Sequence, residues 1–204
     1  MCMQNFITTL QNYKWLIAFT LAYTIPFTAY FLSQGNGEFV WYIIVVLVLM
    51  GLVLGTLPKS QLPRGIVWAL SVWALLHLAG GSVRVDETVL YGLQLLPLYN
   101  GGGEMILLKY DQVVHAFGFG LSALAMLHFL RRYESDKNKI GVYIIAVLAG
   151  MGLGVLNEIV EFIAVLLFPN NGVGGYVNTS LDLIFNTLGA AVAISVAWLR
   201  RPHA

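Results

Sequence analysis

Six apolar stretches, each close to the length a helix needs to cross a bilayer, constrain this chain more than any other feature. They fall at about residues 15–32, 39–57, 65–80, 110–130, 141–168 and 180–199. Roughly 20 residues at 1.5 Å each cover the hydrocarbon core. The third stretch is short, the fifth is long enough to tilt or protrude, and Pro26 predicts a kink in the first. Composition agrees: 58% of residues are hydrophobic, 10% are charged, and the mean hydropathy is +0.77. Soluble domains carry about 25% charged residues. With 11 basic and 10 acidic side chains, a chain of 22.5 kDa could not cover a soluble surface. The expected fold is all-α: a polytopic membrane bundle of six transmembrane helices, one integral membrane domain over residues 1–204. A nucleic-acid binder, a secreted domain and a cytosolic enzyme are excluded.

The single cysteine, Cys2, allows no intramolecular disulfide and no cysteine-based metal site. No apolar segment precedes it, so a lipoprotein signal is not expected, and the first apolar stretch reads as a span rather than a cleaved signal.

The basic residues predict the orientation. Six spans put both termini on one side. Lys14, Lys59, Arg64, Arg131, Arg132, Lys137, Lys139, Arg200 and Arg201 fall at the termini or in the second and fourth connections, against Arg84 and Lys109 in the other three. Such a bias marks the cytoplasmic side, so both termini are expected there. The steps Gly51/Gly55 and Gly150/Gly154 each have the G-x-x-x-G spacing that lets helices approach closely. No internal repeat of the transporter kind is visible.

One connection is unlike the rest. Residues 82–109 join the third and fourth spans, and their middle, 89–98, is too short to cross the membrane and too apolar for a solvated loop. The expectation is an interfacial or re-entrant segment over the helix ends, with Gly101, Gly102 and Gly103 as a flexible joint.

Acidic and histidine side chains inside spans are few, and they gather. His77 lies in span three, Asp111 and His115 in four, Glu158 and Glu161 in five, Asp182 in six, all toward the outer end. Asp111 and His115 are i,i+4, Glu158 and Glu161 are i,i+3, and Asp182 and Asn186 are i,i+4, so each pair shares a helix face. Span five carries Gly150, Gly154, Glu158 and Glu161 on one stripe; span six carries Asp182, Asn186, Gly189 and Ala193 on another. The polar groups therefore share the close-packing faces.

Simpler readings exist for some of them. Asp111 and Asp182 fall in the expected first turns, where the helix dipole favours an acid. His77 could hydrogen-bond a neighbouring carbonyl, and Asn186 could be interhelical glue. Glu158 and Glu161 have no such excuse, since a charge at membrane depth costs several kcal/mol.

Four carboxylates with two histidines, and only Arg84 and Lys109 as nearby permanent cations, must be protonated, paired or bound to a cation. Three outcomes stay open: a metal ion, a shared-proton acid/base pair, or a site awaiting a cationic group. As metal ligands the set is His77, Asp111, His115, Glu158, Glu161 and Asp182. Imidazole and carboxylate without sulfur suit Zn, Mn or Fe, and suit Mg less well. Glu158, Glu161, His115 and Asp111 are the catalytic candidates, with Asn186 and Arg84 as structural or substrate-contacting groups. No H-E-x-x-H, G-x-S-x-G, Walker or dinucleotide signature occurs.

The runs Tyr110-Asp-Gln-Val-Val-His115, Asn157-Glu-Ile-Val-Glu161 and Asp182-Leu-Ile-Phe-Asn-Thr-Leu-Gly-Ala190 resemble small bacterial inner-membrane proteins of the YjdF type. They are also similar to the wider VanZ-like group, with its D-x-x-x-H and D-x-x-x-N-T-x-G pattern. Leu76-His-Leu-Ala-Gly-Gly81 resembles the YjdF-type histidine-plus-glycine motif. The resemblance covers about residues 66–195. It implies a multi-span fold in the bacterial cytoplasmic membrane, no established reaction, and, through VanZ-like members, an association with glycopeptide resistance and the cell envelope. Two positions depart from the pattern: the run from Gly172 to Ser180 lacks the acid expected before span six, and position 161 is Glu where VanZ-like chains often carry Gln.

Three functions follow as expectations. The first is a membrane-embedded enzyme acting on a lipid or isoprenoid-linked envelope precursor at the outer leaflet, with 82–109 as a lid. The second is a non-catalytic VanZ-like protein that interacts with lipid or antibiotic. The third is a proton- or cation-coupled carrier, against which stand the missing repeat and the absence of acids in the inner half. Membrane lipids are the expected partners, and nucleic acid is not one.

Overall fold

In a bilayer every backbone N–H and C=O must find its partner within the protein, which leaves helices as the economical solution for these apolar stretches. The computed structural model describes residues 2–101, 105–134, 139–168 and 172–201. Among the described residues seven α-helices run in order: α1 (Cys2–Asn12), α2 (Lys14–Ser33), α3 (Gly37–Ser60), α4 (Arg64–Ser82), α5 (Tyr110–Tyr133), α6 (Ile140–Leu167) and α7 (Tyr176–Leu199). Six of them, α2 to α7, are long and apolar enough to cross a membrane. The protein is an all-α polytopic membrane bundle, as its apolar stretches predict. The chain divides into two compact units, Met1–Val83 and Arg84–Ala204.

In the first unit, α2 runs unbroken through Pro26, and short hydroxyl side chains tie it to α4. The Thr20 and Ser71 hydroxyls are 2.7 Å apart, and the Tyr23 hydroxyl donates to the Ser71 carbonyl at 3.0 Å. Thr20 and Thr24 also bond back to Leu16 and Thr20 carbonyls on their own helix. Phe39 of α3 stacks on Phe31 at 4.6 Å, and Gly81 of α4 faces the Phe39 ring so closely that a Cβ would overlap it. Gly51 and Gly55, by contrast, face open space. Their G-x-x-x-G step joins no helices within the described residues.

Within the 82–109 connection the described residues form two short antiparallel strand pairs, with a 3-10 turn at Leu90–Gly92 between them. β1 (Arg84–Val85) pairs antiparallel with β2 (Thr88–Val89), and β3 (Gln94–Asn100) pairs antiparallel with β4 (Ile106–Lys109), with a register irregularity between Gln94 and Tyr99. Pairing satisfies the backbone of an apolar segment that has too few residues to span as a helix. Leu95, Leu96, Leu98 and Tyr99 of β3 stay exposed. Leu108 takes a left-handed φ of 61° where β4 passes into α5. Gln112 of α5 locks that corner: its carbonyl oxygen accepts from the Leu108 and Lys109 amides at 2.6 and 3.1 Å, and its amide donates to the Ile106 carbonyl at 2.9 Å. Gly102 and Gly103 of the expected joint lie outside the described residues, as do Glu104, Asp136, Lys137 and His203.

In the second unit α5 and α7 pack along each other and both pack on α6. The centre is built from small residues, Ala123, Ala146 and Ala190, with Leu127, Val142, Tyr143 and Ile194 around them. At one end Arg131 donates to the Tyr143 hydroxyl and lies over its ring, and Tyr143 meets Trp198 edge-on at 4.7 Å. The outward faces, such as Ile144, Leu148, Val155, Leu156 and Phe162 of α6, are exposed apolar surface suited to lipid. α7 starts at Tyr176, earlier than the apolar stretch alone predicts, because its first turn is polar: Asn178, Thr179 and Ser180.

Candidate metal centre

The three helices can meet because glycines remove the side chains that would hold them apart. A Cβ on Gly189 of α7 would overlap the Ala116 carbonyl of α5. A Cβ on Gly150 of α6 would lie 2.7 Å from that of Ala123, and one on Gly154 would lie 2.9 Å from Asn186 Nδ2. The Gly150/Gly154 step is therefore a true packing surface, and Gly154 leaves the room in which the Asn186 carboxamide sits.

At the end of the bundle opposite Arg131 this close approach brings polar side chains together. α5 and α7 begin there and α6 finishes there. Asp111 lies in the first turn of α5, with His115 one turn further. Asp182 lies in the second turn of α7, not the first, so the helix dipole no longer accounts for an acid at that position. His115, Glu158, Asp182 and Asn186 are buried, Asp182 with 0% and Asn186 with 1% exposure.

The His115 ring stands at the centre. Its Nε2 is 3.5 Å from Asp111 Oδ1 and 3.7 Å from Glu161 Oε1. Its Nδ1 is 3.1 Å from Asn186 Oδ1 and 3.7 Å from Glu158 Oε1. Two groups of His and acid side chains offer ligand atoms within 4.8 Å of one another: Asp111, His115 and Asp182, and His115, Glu158 and Glu161. Together they contain five of the six candidate ligands. The sixth, His77, is on α4 of the first unit, its ring beside Tyr42 at 5.3 Å and Trp73 at 5.9 Å. Arg84 is exposed on β1.

A shell of amides surrounds the acids. Asn157 donates to Glu161 Oε1 at 2.7 Å, Asn186 donates to Glu158 Oε1 at 3.4 Å, and Asn178 donates to Asp182 Oδ2 at 2.6 Å. The buried Lys109 ammonium donates to Asn178 Oδ1 at 2.6 Å, which links a permanent cation to Asp182 through one amide. Asn157 and Asn178 were not among the candidate site residues read from sequence, and Lys109 entered there only as a nearby permanent cation. Asn157 to Glu161 and Asn178 to Asp182 are both i,i+4 pairs, the same signal that marked Asp111 and His115.

Two oxygens are left over. Glu158 Oε2 and Asp182 Oδ1 are buried and accept no hydrogen bond. A buried carboxylate oxygen without a donor is costly, and buried charges are normally paired or bound to metal. The donor set, one imidazole with four carboxylates, fits Zn, Mn or Fe, and the amides around it are the kind of outer partners that orient metal ligands.

No curated protein and no solved structure matches the chain. One family model does, over residues 14–203, so it takes in all six spans and every residue of this cluster: the chain belongs to the DUF2238 family of predicted membrane proteins.

Proposed function

We propose that the α5–α6–α7 cluster binds one divalent metal ion of the Zn, Mn or Fe kind, and that the protein uses it on a lipid or isoprenoid-linked envelope precursor. The observation that carries this reading is the pair of unsatisfied buried oxygens, Glu158 Oε2 and Asp182 Oδ1, inside a cluster of four carboxylates around one imidazole. Fully ionised, the four carboxylates would outweigh Lys109, the permanent cation bonded into their amide shell, and a divalent cation would offset the excess. Such an ion would polarise an ester or phosphoryl oxygen and lower the barrier to attack by water. Glu158, with one oxygen uncommitted, would be the residue to accept a proton from that water.

Location supports the lipid part. The cluster sits at one end of membrane-spanning helices, and the adjoining β3 strand exposes Leu95, Leu96, Leu98 and Tyr99, a surface suited to the interface between headgroups and acyl chains. With both termini cytoplasmic, as the basic residues indicate, that end is the outer one. The similarity to YjdF-type and VanZ-like bacterial inner-membrane proteins points to the envelope as the setting.

Elemental analysis of detergent-purified protein, stripped with chelator and reloaded with Zn, Mn or Fe, tests the reading. The expected result is one equivalent per chain, lost in Glu158→Ala. No stoichiometric metal after loading with any of the three would refute it. Bound metal without turnover of phosphorylated lipids would favour a non-catalytic lipid-binding protein.

A further inference from the structure

We infer that Asn186 fixes His115 in the tautomer that carries its proton on Nδ1, which makes Nε2 the nitrogen that meets the cation, between Asp111 and Glu161. The argument runs through the donors and acceptors of one amide. Asn186 Nδ2 lies 3.4 Å from Glu158 Oε1, a carboxylate oxygen that accepts, so the NH2 end of the amide faces Glu158. Its other end, Oδ1, then faces His115 Nδ1 at 3.1 Å. Rotating the amide by half a turn would set Oδ1 against the Glu158 carboxylate. An amide oxygen can only accept, so the ring nitrogen it faces must donate. Glu158 Oε1, 3.7 Å from the same nitrogen, is a second acceptor on that side.

Burial keeps the amide on these two partners. Asn186 is 1% exposed, and Gly154 approaches it so closely that a Cβ there would lie 2.9 Å from Nδ2 and 3.0 Å from its Cβ. The glycine of α6 thus leaves the room in which the carboxamide of α7 reaches the histidine of α5. With Nδ1 protonated, the Nε2 lone pair points to the side where Asp111 Oδ1 and Glu161 Oε1 stand at 3.5 and 3.7 Å. A lone pair there faces two carboxylate oxygens, a repulsion that a metal ion between them would turn into ligation, and metal-bound histidines usually give their other N–H to a neighbouring acceptor. Asn186 is therefore a positioning residue: it acts on the cation through His115. Asp111, Glu161 and His115 Nε2 form the entry side, while Glu158 Oε1 accepts on the Nδ1 side and leaves its other oxygen, Oε2, uncommitted.

The inference rests on the metal reading only for what Nε2 meets; the tautomer is observable without metal. In detergent-solubilised protein labelled with ¹⁵N-histidine, with His115 assigned through His115→Gln, long-range ¹⁵N–¹H spectra distinguish a protonated Nδ1 from a protonated Nε2. The expected result is a protonated Nδ1 in the chelated protein. On adding Zn²⁺, the Nε2 resonance alone should shift to a metal-bound position. Asn186→Leu should release this preference and weaken Zn²⁺ binding about 10- to 100-fold, while Asn186→Asp, which keeps an acceptor, should retain the Nδ1 proton. A protonated Nε2 in the wild-type protein, or a shift at Nδ1 on adding Zn²⁺, would overturn the inference. So would a folded Asn186→Leu protein that keeps both the tautomer and the affinity. A wild-type protein that shows the Nδ1 proton but never binds Zn²⁺ refutes the metal reading and leaves the role of Asn186 in setting the tautomer standing.

Discussion

Two glycines of similar sequence character should respond in opposite ways to a single methyl group. At Gly189 the new Cβ would overlap the carbonyl oxygen, the carbonyl carbon and the Cα of Ala116, all of them backbone atoms of α5. No side chain can rotate away, so α7 must move off α5. That movement opens the contacts around Ala123, Ala190 and Ile194 and withdraws Asn186, less than one turn before it, from His115. Overpacking costs about 1–3 kcal/mol, and a clash with backbone belongs at the upper end. At about 3 kcal/mol the unfolding equilibrium shifts roughly a hundredfold. At Gly51 the same methyl enters open space, and only helix propensity changes, which favours alanine by about 0.8–1 kcal/mol. Gly189→Ala and Gly51→Ala, measured side by side by reversible unfolding in a fixed mixed micelle, should therefore fall on opposite sides of the wild type. A Gly189→Ala protein as stable as wild type, or a Gly51→Ala protein as damaged as Gly189→Ala, would refute the packing argument.

Other outcomes follow from the same geometry. Asp182→Asn removes a buried charge with an unsatisfied oxygen and should raise the stability of the metal-free protein by about 1–3 kcal/mol, read by the same unfolding assay, while lowering metal binding. Lys109→Met leaves Asn178 and Asp182 without their buried cation and should destabilise by about 3 kcal/mol, a loss that Asp182→Asn in the same chain should largely restore. A fluorescent protein fused at residue 201 should fold and fluoresce, and alkaline phosphatase inserted at residues 172–175 should be active; the reverse pattern would contradict cytoplasmic termini.

The spans were legible because the bilayer imposes a length and a composition that soluble proteins never share. The acids and His115 were legible because a titratable residue stands out against an apolar background and because i,i+4 spacing assigns it a face. The start of α7 was not, since Asn178, Thr179 and Ser180 look like loop to any measure of hydropathy. That error hid the run Asn178, Asp182, Asn186 at every fourth position of one helix. It also made Asp182 look like an ordinary first-turn acid. The paired strands of 84–109 were hidden for a different reason: an apolar run without alternation carries no strand signature, and its partners are set by backbone pairing. Gly51/Gly55 and Gly150/Gly154 have identical spacing, and only the neighbours each step meets tell them apart.

The central claim is that buried acids around His115 are there for a cation. Thermal unfolding of chelated protein titrated with Zn²⁺ tests it most directly. A ligand that binds only the folded state adds about 2.7 kcal/mol at a hundred times its dissociation constant, so the melting temperature should climb steadily with Zn²⁺. His115→Ala and Asp182→Asn should each abolish the climb. A wild-type melting temperature that ignores Zn²⁺, Mn²⁺ and Fe²⁺ alike, or one that rises equally in both variants, would contradict the account.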